Sequence, residues 1–386
     1  MLTEPKVNSK IELPEGLPLP VFKPSYDEQE VDAVRICLQQ GWTGCGPKVK
    51  EFEEEFARYI GVKYAVATNS CTASLHLAVM GLNLSGSEII STPMTFVSTN
   101  HAILYNNAVP VFADIQKDTL NIDPASIRER ITPKTKAIMT VHFGGHACDM
   151  EEIQKLADKH SLSIIEDVAH GCGGTFKGRK LGSIGTIGCF SFHAVKNMAT
   201  GDGGMIVTND KKMYDRLMKL RWVGISRDTW NRSEKGAYSW DYNIEELGFK
   251  YQMNDISAAI GLIQLRKLDG MNENRRALAK RYREALAGIP GIELLTVKPE
   301  VVSAQHNFII KTDKRDELMA YLKERQISTG VHYRPNNHYE MYQNFSGPTP
   351  TAEQVWQRIV TLPLYPSMTL KQQDYVISCI RSFSQL

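Results

Sequence analysis

Past Gly61 the chain alternates two textures. Short, almost wholly apolar runs, YAVAT (64–68), EIIST (88–92), VPVFAD (109–114), TKAIMTVH (135–142) and LSIIED (162–167), are separated by stretches of helical period at 72–82, 97–106, 124–130 and 150–160. Apolar runs spaced by helices mark parallel strands covered on both faces. They predict a doubly wound α/β fold with a mainly parallel central sheet. TIGCFSF (186–192) and GMIVTND (204–210), joined by a loop alone, predict neighbouring strands. Ahead of the sheet, one helix is predicted from Asp27, with Val31, Val34, Ile36 and Leu38 before Gly41. A second spans 49–60, where Phe52, Phe56 and Ile60 stand four apart on one face. Residues 1–24, interrupted by Pro5, Pro14, Pro18, Pro20 and Pro24, predict an extended arm with little core of its own.

A long helix opens near Asn254, with a break expected at Gly270 before it resumes over 273–286. Beyond Pro290 the pattern is that of a smaller α+β unit: a strand in 306–312, a helix over 316–326, a strand near 328–333 and a closing helix over 370–383. Three parts are therefore expected: the arm 1–24, a large α/β unit 25–265, and a small C-terminal α+β unit 266–386. The long helix is shared between the last two.

Composition narrows the class. Among 386 residues, 45 Lys+Arg face 43 Asp+Glu, so the broad basic surface of a dedicated nucleic-acid binder is not expected. No apolar run approaches the ~20 residues that span a bilayer. The first sixteen residues carry acids and prolines but no apolar stretch, which predicts no secretory signal. Seven scattered cysteines with no CxxC pair predict neither a zinc site nor a disulfide framework, and a protein of the cytoplasm.

In a parallel sheet, ligands gather at the carboxyl ends of the strands, and three such ends here are polar. LSIIED closes on Asp167, a carboxylate that needs a cationic partner to be buried. IGCFSF runs into Ser191, His193 and Lys196 and then into GDGGM. YAVAT is followed by Asn69, Ser70, Cys71 and Thr72 at a helix start, where open N–H groups and hydroxyls favour phosphate. Pyridoxal 5′-phosphate needs an amine for its Schiff base, a carboxylate for its pyridine nitrogen and an anion site for its phosphate. Phe96, after another strand, supplies an aromatic face.

The stretch IIEDVAHGCGGTFKGRKLGSIGTIGCFSFHAVKNMATGDGGMIVTND (164–210) resembles the signature of the DegT/StrS-type sugar aminotransferases, a branch of PLP fold type I, the aspartate aminotransferase superfamily. The resemblance runs from GWTGCGPKVKEFEEEFA to STGVHYRPNNH and LPLYPSM. Its core motifs are D-x-A-[HQ] and S-F-x-x-x-K-x-x-x-x-G-[ED]-G-G. It implies that Lys196 carries the cofactor, that Asp167 binds the pyridine nitrogen, and that His170 sits beside the ring hydroxyl, where many members have Gln. It places Cys71, Thr72, Ala73 and Ser191 at the phosphate and Phe96 against the ring. It also implies a homodimer with shared sites, in which GFKYQMNDISAAIG (248–261) reaches across and Lys250 meets the partner's cofactor phosphate. Two departures stand out. Cys71 replaces a glycine, with an expected loss of positive-φ freedom, and Asp202 replaces a commoner Glu.

The activity implied is transamination from an amino acid, glutamate by resemblance, through pyridoxamine 5′-phosphate to a keto-sugar. That sugar is most often nucleotide-linked, in amino-sugar biosynthesis for lipopolysaccharide or other surface glycans. Relatives that act as PLP-dependent dehydratases replace the lysine by histidine, so Lys196 disfavours that reading. A non-catalytic PLP-binding regulator, or an enzyme for an unlinked eight-carbon keto-sugar acid, fits the same motifs. Substrate contacts are expected at His332 and His338, and at Arg227 and Trp230 in the aromatic, basic stretch 221–243. There a guanidinium and an indole suit a phosphate and a base; the alternative is a loop packed on the dimer partner.

Overall fold

The apolar runs become strands, and the computed structural model describes residues 13–226, 242–345 and 347–386. In chain order the strands are β1 (Tyr64–Thr68), β2 (Glu88–Ser91), β3 (Val109–Phe112), β4 (Thr135–Val141), β5 (Ser163–Asp167), β6 (Thr175–Phe176), β7 (Arg179–Lys180), β8 (Ile187–Ser191) and β9 (Gly204–Thr208). Seven of them form one sheet in the order β1–β9–β8–β5–β4–β2–β3. Only β9 runs against its neighbours, pairing antiparallel with both β1 and β8. The mainly parallel sheet is as expected, and so is the adjacency of the two runs near 190 and 206.

Strand residues alternate between two apolar layers. Ile138, Ile164 and Phe190 enter one buried cluster, while Met139, Ile165 and Cys189 enter another. Helix α1 (Glu28–Gln39) and helix α2 (Pro47–Ile60) precede the sheet, and α3 (Cys71–Gly81) follows β1. Phe56 of α2 meets Phe190 edge-on at 4.9 Å and Phe192 at 5.4 Å, anchoring the strand that leads to Lys196. Truncating an aromatic so buried costs about 3–5 kcal/mol.

Three expectations need correction. The helix Asp255–Leu286 runs unbroken through Gly270, whose α-carbon faces open space. Its first half packs in the large unit through Ala258, Leu262, Leu265 and Leu268, and its second half in the small unit through Leu278, Tyr282 and Leu286. Packing at both ends outweighs the cost of about 1 kcal/mol for an interior glycine. Residues 328–333 form no strand; Gly330 alone bridges to Thr361. In α1 it is Glu30 and Cys37 that are buried, while Val31, Ile36 and Leu38 point outward. The small unit holds a three-stranded sheet, Glu293–Leu294, Phe308–Lys311 and Ile359–Leu362, backed by helices Arg315–Glu324 and Leu370–Phe383. The arm joins it: Leu19 is fully buried in this unit's core and pairs with Gln326 and Ser328.

Candidate active site

The carboxyl ends of β1, β5 and β8 open into a cavity of about 340 Å³ lined by Cys71, Thr72, Phe96, Asp167, His170, Ser191 and Lys196. Strand pairing fixes its floor: Asp167 stands opposite Cys189 in the β5–β8 register, two residues before Ser191. The loop carrying the lysine is tied down next door, where Asn197 Nδ2 donates to Asn272 Oδ1 and to Ala304 O, both at 2.7 Å. Gly204 is required where β9 passes α3, since a Cβ there would lie 2.5 Å from Ser70 O and 2.7 Å from Cys71 N.

Asp167 is buried and its carboxylate is held by two donors. Thr99 Oγ1 donates to Oδ2 at 2.8 Å, and the Ala169 N–H to Oδ1 at 3.0 Å. Thr95 Oγ1 lies 2.8 Å from Thr99 Oγ1 and completes a short hydroxyl chain. Burial raises the Asp167 carboxyl above its ordinary range, against the pull of Ala169, Thr99 and Lys196. Burial lowers the Lys196 ammonium to about 8, with Cys71 and Asp167 opposing. His170, His306 and His332 crowd the same wall. Burial first, then the Lys196 charge, keeps all three neutral, with His332 at about 4.

The strand end has a second anchor. Glu166, fully buried, accepts hydrogen bonds from His142 Nε2 at 3.0 Å and from the N–H groups of Gly182, Ile184 and Gly185 at 2.9, 2.7 and 2.5 Å. Burial works against its charge, but His142 and these amides outweigh it and hold the carboxyl low. This grip ties the end of β5 to the chain just after β4 and to the loop that leads into β8. The 182–185 loop then passes so close that Gly188 has no room for a side chain.

The expected residues divide. Cys71 and Thr72 line the cavity at the first turn of α3, where amides have no intrahelical acceptor. Cys71 takes ordinary helical backbone, so the missing glycine costs nothing there. The Ala73 N–H is instead occupied by the Ser70 Oγ cap at 3.1 Å, and Ala73 does not line the cavity. Phe96 stands at the mouth, 58% exposed. His332 lines the wall with its Nδ1 2.9 Å from Thr361 Oγ1. His338 lies outside, edge-on to Trp356 at 5.5 Å. Lys250 is also outside its own chain's cavity, with Nζ 3.5 Å over the Trp222 ring and 3.2 Å from Gln252 Oε1. Arg227 and Trp230 lie outside the described residues. Sequence reading missed Phe22, Thr99, His306 and Tyr333, all of which line the cavity. Tyr333 alone had a local signal, as the neighbour of His332.

These features fit pyridoxal phosphate. A lysine amine faces a buried carboxylate, open amides begin a helix, and His170 Nδ1 is buried without a partner among the described residues. Among those residues no cluster of His, Cys, Asp and Glu could hold a metal ion, and no helix is long and apolar enough to cross a membrane.

Comparison with known proteins agrees. Residues 24–381 match the model of the DegT/DnrJ/EryC1/StrS aminotransferase family. The spore coat polysaccharide biosynthesis protein SpsC of Bacillus subtilis is 42% identical over 375 residues, covering 94% of this chain and 96% of its own. Among solved structures, the PMP form of Spr1654 from Streptococcus pneumoniae, a sugar aminotransferase by description, superposes with a TM-score of 0.90 at 30% identity, over 95% of this chain and 99% of its own. PseC of Helicobacter pylori, an aminotransferase of pseudaminic acid biosynthesis, gives 0.88 at 28% identity, over 95% and 100%. This chain therefore belongs to the DegT/DnrJ/EryC1/StrS family of sugar aminotransferases, enzymes of PLP fold type I that work with pyridoxal 5′-phosphate.

Proposed function

We propose that this chain transfers an amino group from L-glutamate to a nucleotide-linked keto-sugar, in amino-sugar biosynthesis for a surface glycan in the cytoplasm. One observation carries the reading: Lys196 and Asp167 line one cavity beside a helix start that can take a phosphate. The names of SpsC and PseC, which tie those proteins to polysaccharide and pseudaminic acid biosynthesis, support the glycan setting.

When bound, the cofactor supplies an electron sink for the carbon that gains or loses the amine. Asp167, fixed by Thr99 and Ala169, holds a proton on the pyridine nitrogen. Lys196 would carry the cofactor and would also hold and return the proton at the reacting carbon, as base and then acid. The Cys71 and Thr72 amides and the Ser191 hydroxyl would hold the phosphate, Phe96 would cover the ring, and His332 would shape the substrate side. Working as a homodimer suits Lys250, which lies outside its own cavity with its Nζ over the Trp222 ring and beside Gln252, and which would meet the partner's phosphate from there. Ile244 and Leu247, exposed on the segment leading to it, give that contact an apolar footing.

Capture of the cofactor requires the neutral amine, which dominates above the Lys196 pKa. The rate at which cofactor-free protein takes up pyridoxal phosphate is thus expected to climb with pH and level off above about 8. Stopped-flow absorbance across about pH 6 to 10 reads this directly; a flat profile contradicts it.

Substrate class is tested by offering glutamate with a panel of nucleotide-linked and free keto-sugars. Release of 2-oxoglutarate and loss of pyridoxamine-phosphate absorbance are followed. Reaction with linked sugars is expected. Turnover of unlinked sugars alone removes the nucleotide, water loss without donor consumption indicates a dehydratase, and neither reaction indicates a regulator.

A further inference from the structure

The steps above make no use of Tyr333, although its phenol lies deep in the site. Its Oη is 3.0 Å from His170 Nε2, and the two rings are nearly parallel, 5.9 Å apart at 13°. His170 also stacks on His306 at 4.5 Å, and His306 stacks on Phe22 at 5.0 Å. The imidazole is held between neighbours and has little freedom to turn.

Burial and the nearby Lys196 charge keep this imidazole neutral, so it has one N–H to place on either nitrogen. Burial, together with the Asp167 charge, also keeps the phenol protonated. A phenol is a better donor than acceptor, and Tyr333 Oη has no other acceptor among the described residues. Its proton therefore goes to Nε2, and the histidine proton is left on Nδ1. That nitrogen is buried and unpartnered, on a residue that lines the cavity. It is a donor waiting for an acceptor.

We propose that Tyr333 is a positioning residue that locks His170 in the Nδ1–H tautomer, so that the imidazole presents a hydrogen-bond donor to an anionic ligand oxygen. In the reading above, on which this inference rests, that oxygen is the ring oxygen of pyridoxal phosphate. A glutamine at position 170 offers an amide N–H without help. A histidine can offer either a donor or a lone pair, and a second residue has to decide which. The other ionisable groups facing the pair are Lys196, Asp167, His306 and His332.

The donor draws charge from the ring oxygen and so lowers the proton affinity of the Lys196 linkage beside it. In Tyr333→Phe the lock is gone, and the titration midpoint of the bound cofactor's absorbance is expected to rise by about half a pH unit or more, the size that one neutral hydrogen bond supports. In a His170→Gln background the same Tyr333→Phe change is expected to shift nothing, because the two effects run through one atom. An unshifted midpoint in Tyr333→Phe, or equal shifts in both backgrounds, overturns the lock. Isotope-labelled histidine NMR of cofactor-free protein gives a second readout that needs no bound cofactor. There His170 is expected to lose its Nδ1–H signature in Tyr333→Phe, and an unchanged signature overturns the proposal. Borohydride fixation separates the two levels. Cofactor fixed at Lys196 with no tautomer effect removes only the lock, whereas no fixation at Lys196 removes the site reading beneath it.

Discussion

Lys196→Ala is expected to lose about a thousandfold or more of turnover, since general acid–base transfer alone contributes about 10²–10⁴ and the covalent hold on the cofactor is lost as well. The loss should be specific. The anchors around position 196, namely the Asn197 bonds to Asn272 and Ala304 and the aromatic packing of β8, do not involve the amine. Folding and reversible binding of free cofactor through the phosphate and ring contacts should survive. The check pairs steady-state rates with borohydride treatment: the variant should bind pyridoxal phosphate yet retain no label after reduction. Retention of even a tenth of the parent turnover contradicts the role given to this lysine.

Asp167→Asn is expected to be the second most damaging change. An amide keeps the shape of the carboxylate but cannot balance a positive ring nitrogen. Removing one partner of a buried charge pair costs roughly 3–5 kcal/mol, or about two to nearly four powers of ten in rate. Thr99 and the Ala169 amide both donate to Asp167, so the new NH₂ also points at one of them. Rapid-mixing measurements with glutamate alone and with keto-sugar alone should show both half-reactions slowed alike, because both need the same protonated ring. A defect confined to one half-reaction would place Asp167 at a substrate instead of the cofactor.

Much of the site could be read from the sequence because a parallel sheet writes its chemistry after each apolar run. Asp167 ends β5, Ser191 ends β8 with Lys196 just beyond it, and the Ser70–Thr72 turn follows β1, so each polar group is next to its own strand signal. What stayed hidden is held by tertiary contact. Phe22 belongs to a proline-rich arm that reads as unattached until Leu19 is seen in the core of the small unit. His306 sits beside a strand far along the chain, and only folding stacks it on His170. Thr99 looks like the start of an ordinary helix until its hydroxyl meets Asp167. The same cause separates two histidines of one motif, since packing turns His338 toward Trp356 and His332 into the cavity. Gly270 reads as a break because sequence cannot show that both halves of its helix are anchored.

The groups proposed to grip the cofactor and the groups that close the site come from separate parts of the chain. Lys196, Asp167 and the phosphate turn belong to one hydrogen-bonded sheet and its adjoining loops, while Phe22, His306, His332 and Tyr333 arrive on the arm and the smaller unit. A catalyst that alternates between two reactants must discharge the first before admitting the second, without losing its prosthetic group in between. With the tether and the doorway built on different parts, a change at Phe22 or His332 can alter which reactant is admitted while the tether stays intact.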